Sequence, residues 1–264
     1  MKPASLSAEI ETDRPSIARL YDYLLGGTHN FAADRELAHK LLQAEPNARY
    51  IVAENRAFLG RAVRFLLSAG IRQFIDLGAG IPTQQNVHEI AQKHDPEAKV
   101  VYVDNDPIAV AHSRQILWDR SRARVIEGDL REPDSVLDHP DLTSLIDLNQ
   151  PVGLLMISVL HFVPDSGEPV SAVDRFARTL APGSHLVIAH ATHEAAPEAA
   201  AQVHDLSTTA TASIHPRARE EIMPFFSRFD LVEPGLVYLS SWRPDEPPAD
   251  PDVVWIFGGV GRKR

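Results

Sequence analysis

Cysteine is absent from this 264-residue chain. That excludes disulfides, thiolate metal sites and a cysteine nucleophile. No apolar run reaches the roughly 18–20 residues that a membrane-spanning helix needs. The opening stretch, MKPASLSAEIETDRPS, has no apolar core of the kind a signal peptide carries. The expectation is therefore a cytoplasmic protein with no membrane partner. Positive charge is also in deficit, with 26 Lys and Arg against 36 Asp and Glu and a net charge of −10. Such a surface repels phosphate backbones unless a local basic stripe compensates. The one dense basic run, Arg114 to Arg124, interleaves its arginines with Asp119 and apolar residues, as a solvated helix face does. No nucleic-acid partner is expected. The 12 histidines show no metal-ligand spacing, so no metal is expected either. No internal repeat is present.

The most informative segment is QFIDLGAGIPT, residues 73–83. Phe74 and Ile75 suit a buried parallel strand, and Asp76 stands where that strand should end. Gly78, Ala79 and Gly80 form a turn that leaves room for a ligand against the backbone or for positive φ. Pro82 fits the first turn of a following helix. A strand, a glycine turn and a helix start make a nucleotide-type cofactor site, although an ordinary tight strand–helix turn reads the same way. A dinucleotide fingerprint has a third glycine, where this chain has Thr83. Asp76 would repel a pyrophosphate but attract a cation. S-adenosylmethionine carries an ammonium and a sulfonium and no phosphate.

Strand and helix signals alternate over most of the remaining chain. In residues 55–69, Phe58, Ala62, Phe65, Leu66 and Ala69 fall on one helical face, and Gly70 ends the helix. Strands are predicted over 72–77, 99–106, 124–129, 152–162, 184–191, 231–239 and 253–261, with helices over 84–94, 107–120 and 168–180. This order predicts a doubly wound α/β fold, a mostly parallel seven-stranded, Rossmann-like sheet whose tail is a β-hairpin. Residues 1–54 read as a helical N-terminal extension, 55–264 as the main domain, and 195–228 as a lid insertion with a helix near Arg217–Phe226.

In such sheets ligands bind outside the carboxyl ends of the strands. The second strand ends in Asp104, with Asn105 and Asp106 behind it; Asp104 suits the two hydroxyls of a ribose, whereas Asp106 reads as the cap of the helix opened by Pro107. The third ends in Gly128-Asp129-Leu130, where Asp129 can accept from an adenine amino group and Leu130 can cover the ring. The fourth runs into Ser158 and His161, at the same end of the sheet. There His161 is either a general base or a packing residue. His190 and His193 follow the fifth strand, toward the substrate.

With these residues in place, the chain resembles the class I S-adenosylmethionine-dependent methyltransferases over residues 55–261. More narrowly, it resembles an actinobacterial family first catalogued as a domain of unknown function and later named S-adenosyl methyltransferase. That likeness rests on RLYDYLLGGTHNFAADRE (residues 19–36), NRAFLGRAVRFL, IDLGAG, YVDNDP, PGLVYLSSWRP and GGVGRK. Thr28-His29 departs from the family pattern. The resemblance implies that residues 19–31 fold over the cofactor pocket, with Tyr21, Tyr23, Gly27 and Asn30 near the methionyl end or the substrate. The segment after the fourth strand, SVLHFVPD, lacks the (Asp/Asn)-Pro-Pro-(Tyr/Phe) stretch of DNA amino-methyltransferases. No carboxylate cluster of the metal-dependent catechol type is apparent. Transfer to O, N or C of a small-molecule methyl acceptor remains. The other readings are a cofactor-binding regulator without turnover and a nicotinamide-dependent oxidoreductase.

Overall fold

The computed structural model describes residues 12–81, 86–117 and 121–264. Pro82, Thr83 and part of the basic run around Asp119 therefore lie outside the described residues. Five strands are parallel: β1 (Gln73–Leu77), β2 (Lys99–Asp104), β3 (Ala123–Glu127), β4 (Gly153–Ile157) and β5 (His185–Ala191). Next to β5 runs β8 (Ile256–Lys263), antiparallel to it. Two short strands, β6 (Phe229–Leu231) and β7 (Val237–Tyr238), pair with different stretches of β8. The order is β3-β2-β1-β4-β5-β8-β6, so β6 and β7 share one edge position and the sheet has seven positions across. The predicted single strand over 231–239 is thus two, interrupted by a turn at Pro234-Gly235, where Gly235 has φ +90° and proline cannot donate to the ladder.

Helices cover both faces. The first part of the chain holds α1 (Ile17–Leu24), α2 (Ala32–Ala44) and α3 (Ala48–Ser68). After β1 come α4 (Val87–His94), α5 (Pro107–Ile116), α6 (Pro133–Leu137), α7 (Pro140–Thr143), α8 (Pro169–Thr179), α9 (Pro197–Ser207) and α10 (Arg219–Ile222). Alternation along each strand sorts the core. Phe74 and Val100 pack with Phe58, Ala62 and Leu66 of α3, while Ile75 and Val101 pack with Val173 and Phe176 of α8. α3 starts seven residues before the sequence reading placed it, so a boundary at 54/55 falls inside a helix. Phe65 is only half-buried and Ala69 is exposed beyond the last turn. The apolar run 152–162 also differs from its reading: β4 stops at Ile157, Ser158 turns the chain with φ +54°, and Leu160–Phe162 form a short 3-10 turn. No described helix is long and apolar enough to cross a membrane.

β1 lies between β2 and β4, so the connections leave it in opposite directions. The crevice at the carboxyl ends of β1 and β4 is the topological switch point, where this architecture binds ligands.

Candidate active site

A cavity of about 1070 Å³ opens at that crevice. Asp76, Gly78, Ala79, Gly80, Asp104, Asn105, Asp129, Leu130, Ser158, His161 and Tyr21 all line it. The turn after β1 is held by backbone bonds from Gly78 N and Ala79 N to Val103 O (2.8 and 3.2 Å) and by Gly80 N donating to Asp104 Oδ2 (2.7 Å). Gly78 adopts φ +72° and Gly80 φ +64°. A Cβ on Gly78 would sit 2.2 Å from Val159 Cγ2, so the turn passes against the end of β4 with no room for a side chain. Asp104 Oδ1 accepts from Asp106 N (2.8 Å), and Asp106 caps α5 through Ile108 N (2.8 Å), as its spacing predicted.

Asp76 is buried, and burial lifts its pKa to about 7; Arg56 opposes the rise and Asp104 adds to it. Arg56 lies over the Tyr21 ring at 5.5 Å, and its buried Nε has no hydrogen-bond partner. A buried acid and an under-satisfied guanidinium beside a side-chain-free turn fit the ammonium and carboxylate of an amino-acid moiety. A stability consequence follows. Between its ordinary value of 3.8 and about 7, Asp76 holds a proton in the folded state that the unfolded chain has released. Ligand-free stability should thus fall as pH rises through that window. Thermal melts across it should show this slope, and Asp76→Asn should flatten it; an unchanged slope would assign it elsewhere.

A hydrogen-bonded chain crosses the cavity. Ser158 Oγ donates to Asn55 Oδ1 (3.0 Å), Asn55 Nδ2 donates to the Tyr21 hydroxyl (2.8 Å), and that hydroxyl donates to Val52 O (3.2 Å). It ties α1 and α3 to the strained residue after β4. Asn55 and Arg56 were missed in the sequence, yet Asn55 carries a signal: it is a polar residue on the same helical face as Phe58 and Ala62.

Several residues singled out in the sequence have partners within the protein. Gly27 and Asn30 do not line the cavity. They enclose the buried Asp22: Asn30 Nδ2 donates to Asp22 Oδ2 (3.1 Å), and a Cβ on Gly27 would lie 2.0 Å from Asp22 Oδ1. Gly26 N and Gly27 N close the end of α1 on Tyr23 O and Asp22 O. Tyr23 turns away to His39 Nε2 (3.1 Å). Asp129 does line the cavity, but Arg131 Nε binds Oδ1 and Oδ2 (2.9 and 3.0 Å), and Asn105 Nδ2 donates to Oδ2 (3.2 Å). The Arg131 guanidinium holds this carboxyl below its usual range.

His161 is not arranged as a base. Its Nδ1 accepts from Ala191 N (3.2 Å), which assigns the proton of the neutral ring to Nε2. Burial, His190 and Arg217 hold its pKa well below the usual value, so at neutral pH the ring has a donor to offer and no free lone pair. His190 and His193 do not line the cavity. The buried His190 accepts from Arg217 Nη1 at Nε2 (2.9 Å) and has its pKa depressed to about 3, chiefly by burial, while His193 is exposed.

Two segments close the top. Ser16 Oγ donates to Asp106 Oδ2 (3.0 Å), Thr211 N to Pro15 O (3.0 Å) and Arg14 Nη2 to Ala210 O (2.7 Å). The chain before α1 thereby spans from the end of β2 to residues 210–211, and Thr211 to His215 line the cavity.

An open, mostly parallel sheet with a glycine turn after β1 and acids at the ends of β1 and β2 is the arrangement of the class I S-adenosylmethionine-dependent methyltransferases. A sequence profile described as S-adenosyl methyltransferase matches residues 3–264. The chain belongs to that family. It is 37% identical to a DUF574 family protein from Streptomyces avermitilis, covering 96% of this chain and 99% of that one with a TM-score of 0.92. A candidate methyltransferase from Thermobifida fusca is 39% identical, covering 98% and 100% with a TM-score of 0.90. Human N-acetylserotonin methyltransferase, solved with S-adenosylmethionine, shares the fold at 15% identity and a TM-score of 0.50, over 92% of this chain and 59% of that one. No curated protein sequence matches.

Proposed function

We propose that this methyltransferase acts on a small molecule held in the same cavity as its cofactor. The carrying observation is that one cavity of about 1070 Å³, at the top of the roughly 300–1,000 Å³ range of small-molecule sites, is lined both by the acids at the ends of β1 and β2 and by apolar residues such as Leu41 and Val203. In this reading Asp76, Gly78, Ala79, Gly80 and Arg56 receive the methionyl end, and Asp104 with Asn105 the ribose. Asp129 and Leu130 take the adenine, and Ser158 stands beside the methyl. Asp129 enters with both oxygens engaged, so adenine uses its remaining lone pairs.

When bound, the cofactor supplies an electrophilic methyl on a sulfonium. The chain's own work is to align an acceptor and exclude water. The Tyr21–Asn55–Ser158 chain fixes the floor. Burial raises the Tyr21 pKa, so its hydroxyl stays a donor. His161 Nε2–H can orient an acceptor oxygen or nitrogen without removing its proton. The N-terminal helices and residues 195–228 act as a cap and lid. The charge of −10 supports a site free of nucleic acid, and a cytoplasmic location accords with the lack of cysteine.

Asp104→Ala tests the cofactor assignment. It removes the expected ribose contact and the acceptor for Gly80 N and Asp106 N. Calorimetry with S-adenosylmethionine should show a loss of about 1.5–3 kcal/mol. Unchanged affinity would sink the ribose role.

A further inference from the structure

Past the Tyr21–Asn55–Ser158 chain the cavity continues between α1, α2, α3, α9 and the start of β8. Its walls there are apolar, with Leu20, Leu24, Leu41, Val52, Val203 and Ile256 among them. A buried carboxylate stands in this chamber. Glu45, the residue that ends α2, lines the cavity and is 7% exposed. Its Oε2 accepts from Trp255 Nε1 and its Oε1 from Asn47 N, each at 2.8 Å. Both donors are neutral; Asn47 is the N-cap of α3, so the start of that helix offsets part of a negative charge on Glu45 without supplying a counter-ion. Among the described residues no lysine, arginine or histidine is in ion-pair reach of it.

Burying a carboxylate without a counter-charge is costly. A neutral glutamine oxygen would serve as an acceptor here without that cost, so the two bonds alone do not account for a charge. An ionised carboxylate offers about four acceptor positions, and two are in use. The Trp255 indole, itself on the cavity wall, lies beside the carboxylate. A carboxylate next to an indole suits an organic ammonium, through charge and through the ring face.

We infer that this chamber is the acceptor site and takes an apolar small molecule bearing a basic nitrogen, whose ammonium pairs with Glu45. The inference rests on the reading of a small acceptor bound beside the cofactor. It concerns how the acceptor is anchored and leaves the methylated atom open.

The test is calorimetry on the full chain saturated with S-adenosylhomocysteine, titrated with phenethylamine, phenethyl alcohol and hydrocinnamate near neutral pH. The amine should bind at least about tenfold tighter than the alcohol or the acid, the scale of one charge-assisted contact. Glu45→Gln should erase that preference and leave S-adenosylhomocysteine affinity unchanged. The inference is overturned if the amine does not bind or binds no tighter than the alcohol or the acid. It is equally overturned if a folded Glu45→Gln protein keeps the preference. Should that variant not fold, the three-ligand comparison on the unsubstituted protein decides. Repeating the titrations without S-adenosylhomocysteine separates the two readings. Amine preference without cofactor binding overturns the cofactor assignment alone; cofactor binding without amine preference overturns the role of Glu45 alone.

Discussion

Gly78→Ala should abolish useful cofactor binding, raising the Kd for S-adenosylmethionine by about a hundredfold or more while the sheet stays folded. The added Cβ would lie 2.2 Å from Val159 Cγ2 and 2.6 Å from Val159 Cβ. The backbone there has φ +72°, which costs a non-glycine residue roughly 1–2 kcal/mol before any clash. To relieve the overlap, either the turn or the Ser158–Val159 segment must shift, and both line the cavity. Because the Val159 Cβ is itself too close, trimming Val159 to alanine should not rescue binding. Gly80 is the control. Its φ is +64°, but a Cβ there meets nothing within 4 Å. Gly80→Ala should therefore meet no protein atom and cost the backbone term together with any crowding of the methionyl end, about tenfold in Kd. Calorimetry on the two variants checks the contrast. Equal effects would mean that backbone conformation, and not the contact with Val159, makes glycine necessary at Gly78.

Arg217→Ala should be the most destabilising surface-distant change outside the hydrophobic core, at about 3–5 kcal/mol. Arg217 is 6% exposed and donates to Leu160 O (3.2 Å), Val163 O (2.8 Å), His190 Nε2 (2.9 Å) and Asp165 Oδ1 (2.7 Å). The ion pair is not the main term, because the Asp165 side chain is 90% exposed. The cost lies in two carbonyls and a neutral imidazole left without a donor, at roughly 1–3 kcal/mol for each buried group. At roughly 2–4 °C per kcal/mol, Tm should fall by roughly 6–20 °C. Asp165→Ala should shift it by only a few degrees. A large loss in Asp165→Ala with little in Arg217→Ala would reverse this account. Since Arg217 joins the segment after β4 to the stretch before it, Thr211 to His215, that lines the cavity, acceptor binding should weaken in the same variant.

Much of the crevice at the ends of β1 and β2 was legible because its signals are local. Phe74 and Ile75 alternate into opposite faces, Asp76 ends β1, and Gly78 and Gly80 adopt the positive φ that only glycine takes freely. Asp106 could be read as a cap because it directly precedes Pro107. The apolar run after Pro151 was harder. Val159, Leu160 and Phe162 carry the apolar pattern past Ile157, and Ser158 alone is too weak a mark of where the ladder stops and the chain turns. The predicted strand over 231–239 failed for the opposite reason: Pro234-Gly235 was visible, but the apolar residues on either side outweighed it.

The sequence by itself determined the order of strands and helices, the class of cofactor and the acids at the strand ends. These depend on residue type over a few positions, where backbone sterics and alternation act directly. Only the tertiary structure decided what each polar group is free to do. Asp129 is shared with Arg131 and Asn105, His161 has its lone pair taken by Ala191, and Gly27 and Asn30 serve Asp22 instead of the cavity. Glu45 meets Trp255 across 210 residues of chain. A hydrogen-bond donor satisfies whichever acceptor folding brings within reach. When that partner is distant in sequence, spacing carries no trace of it.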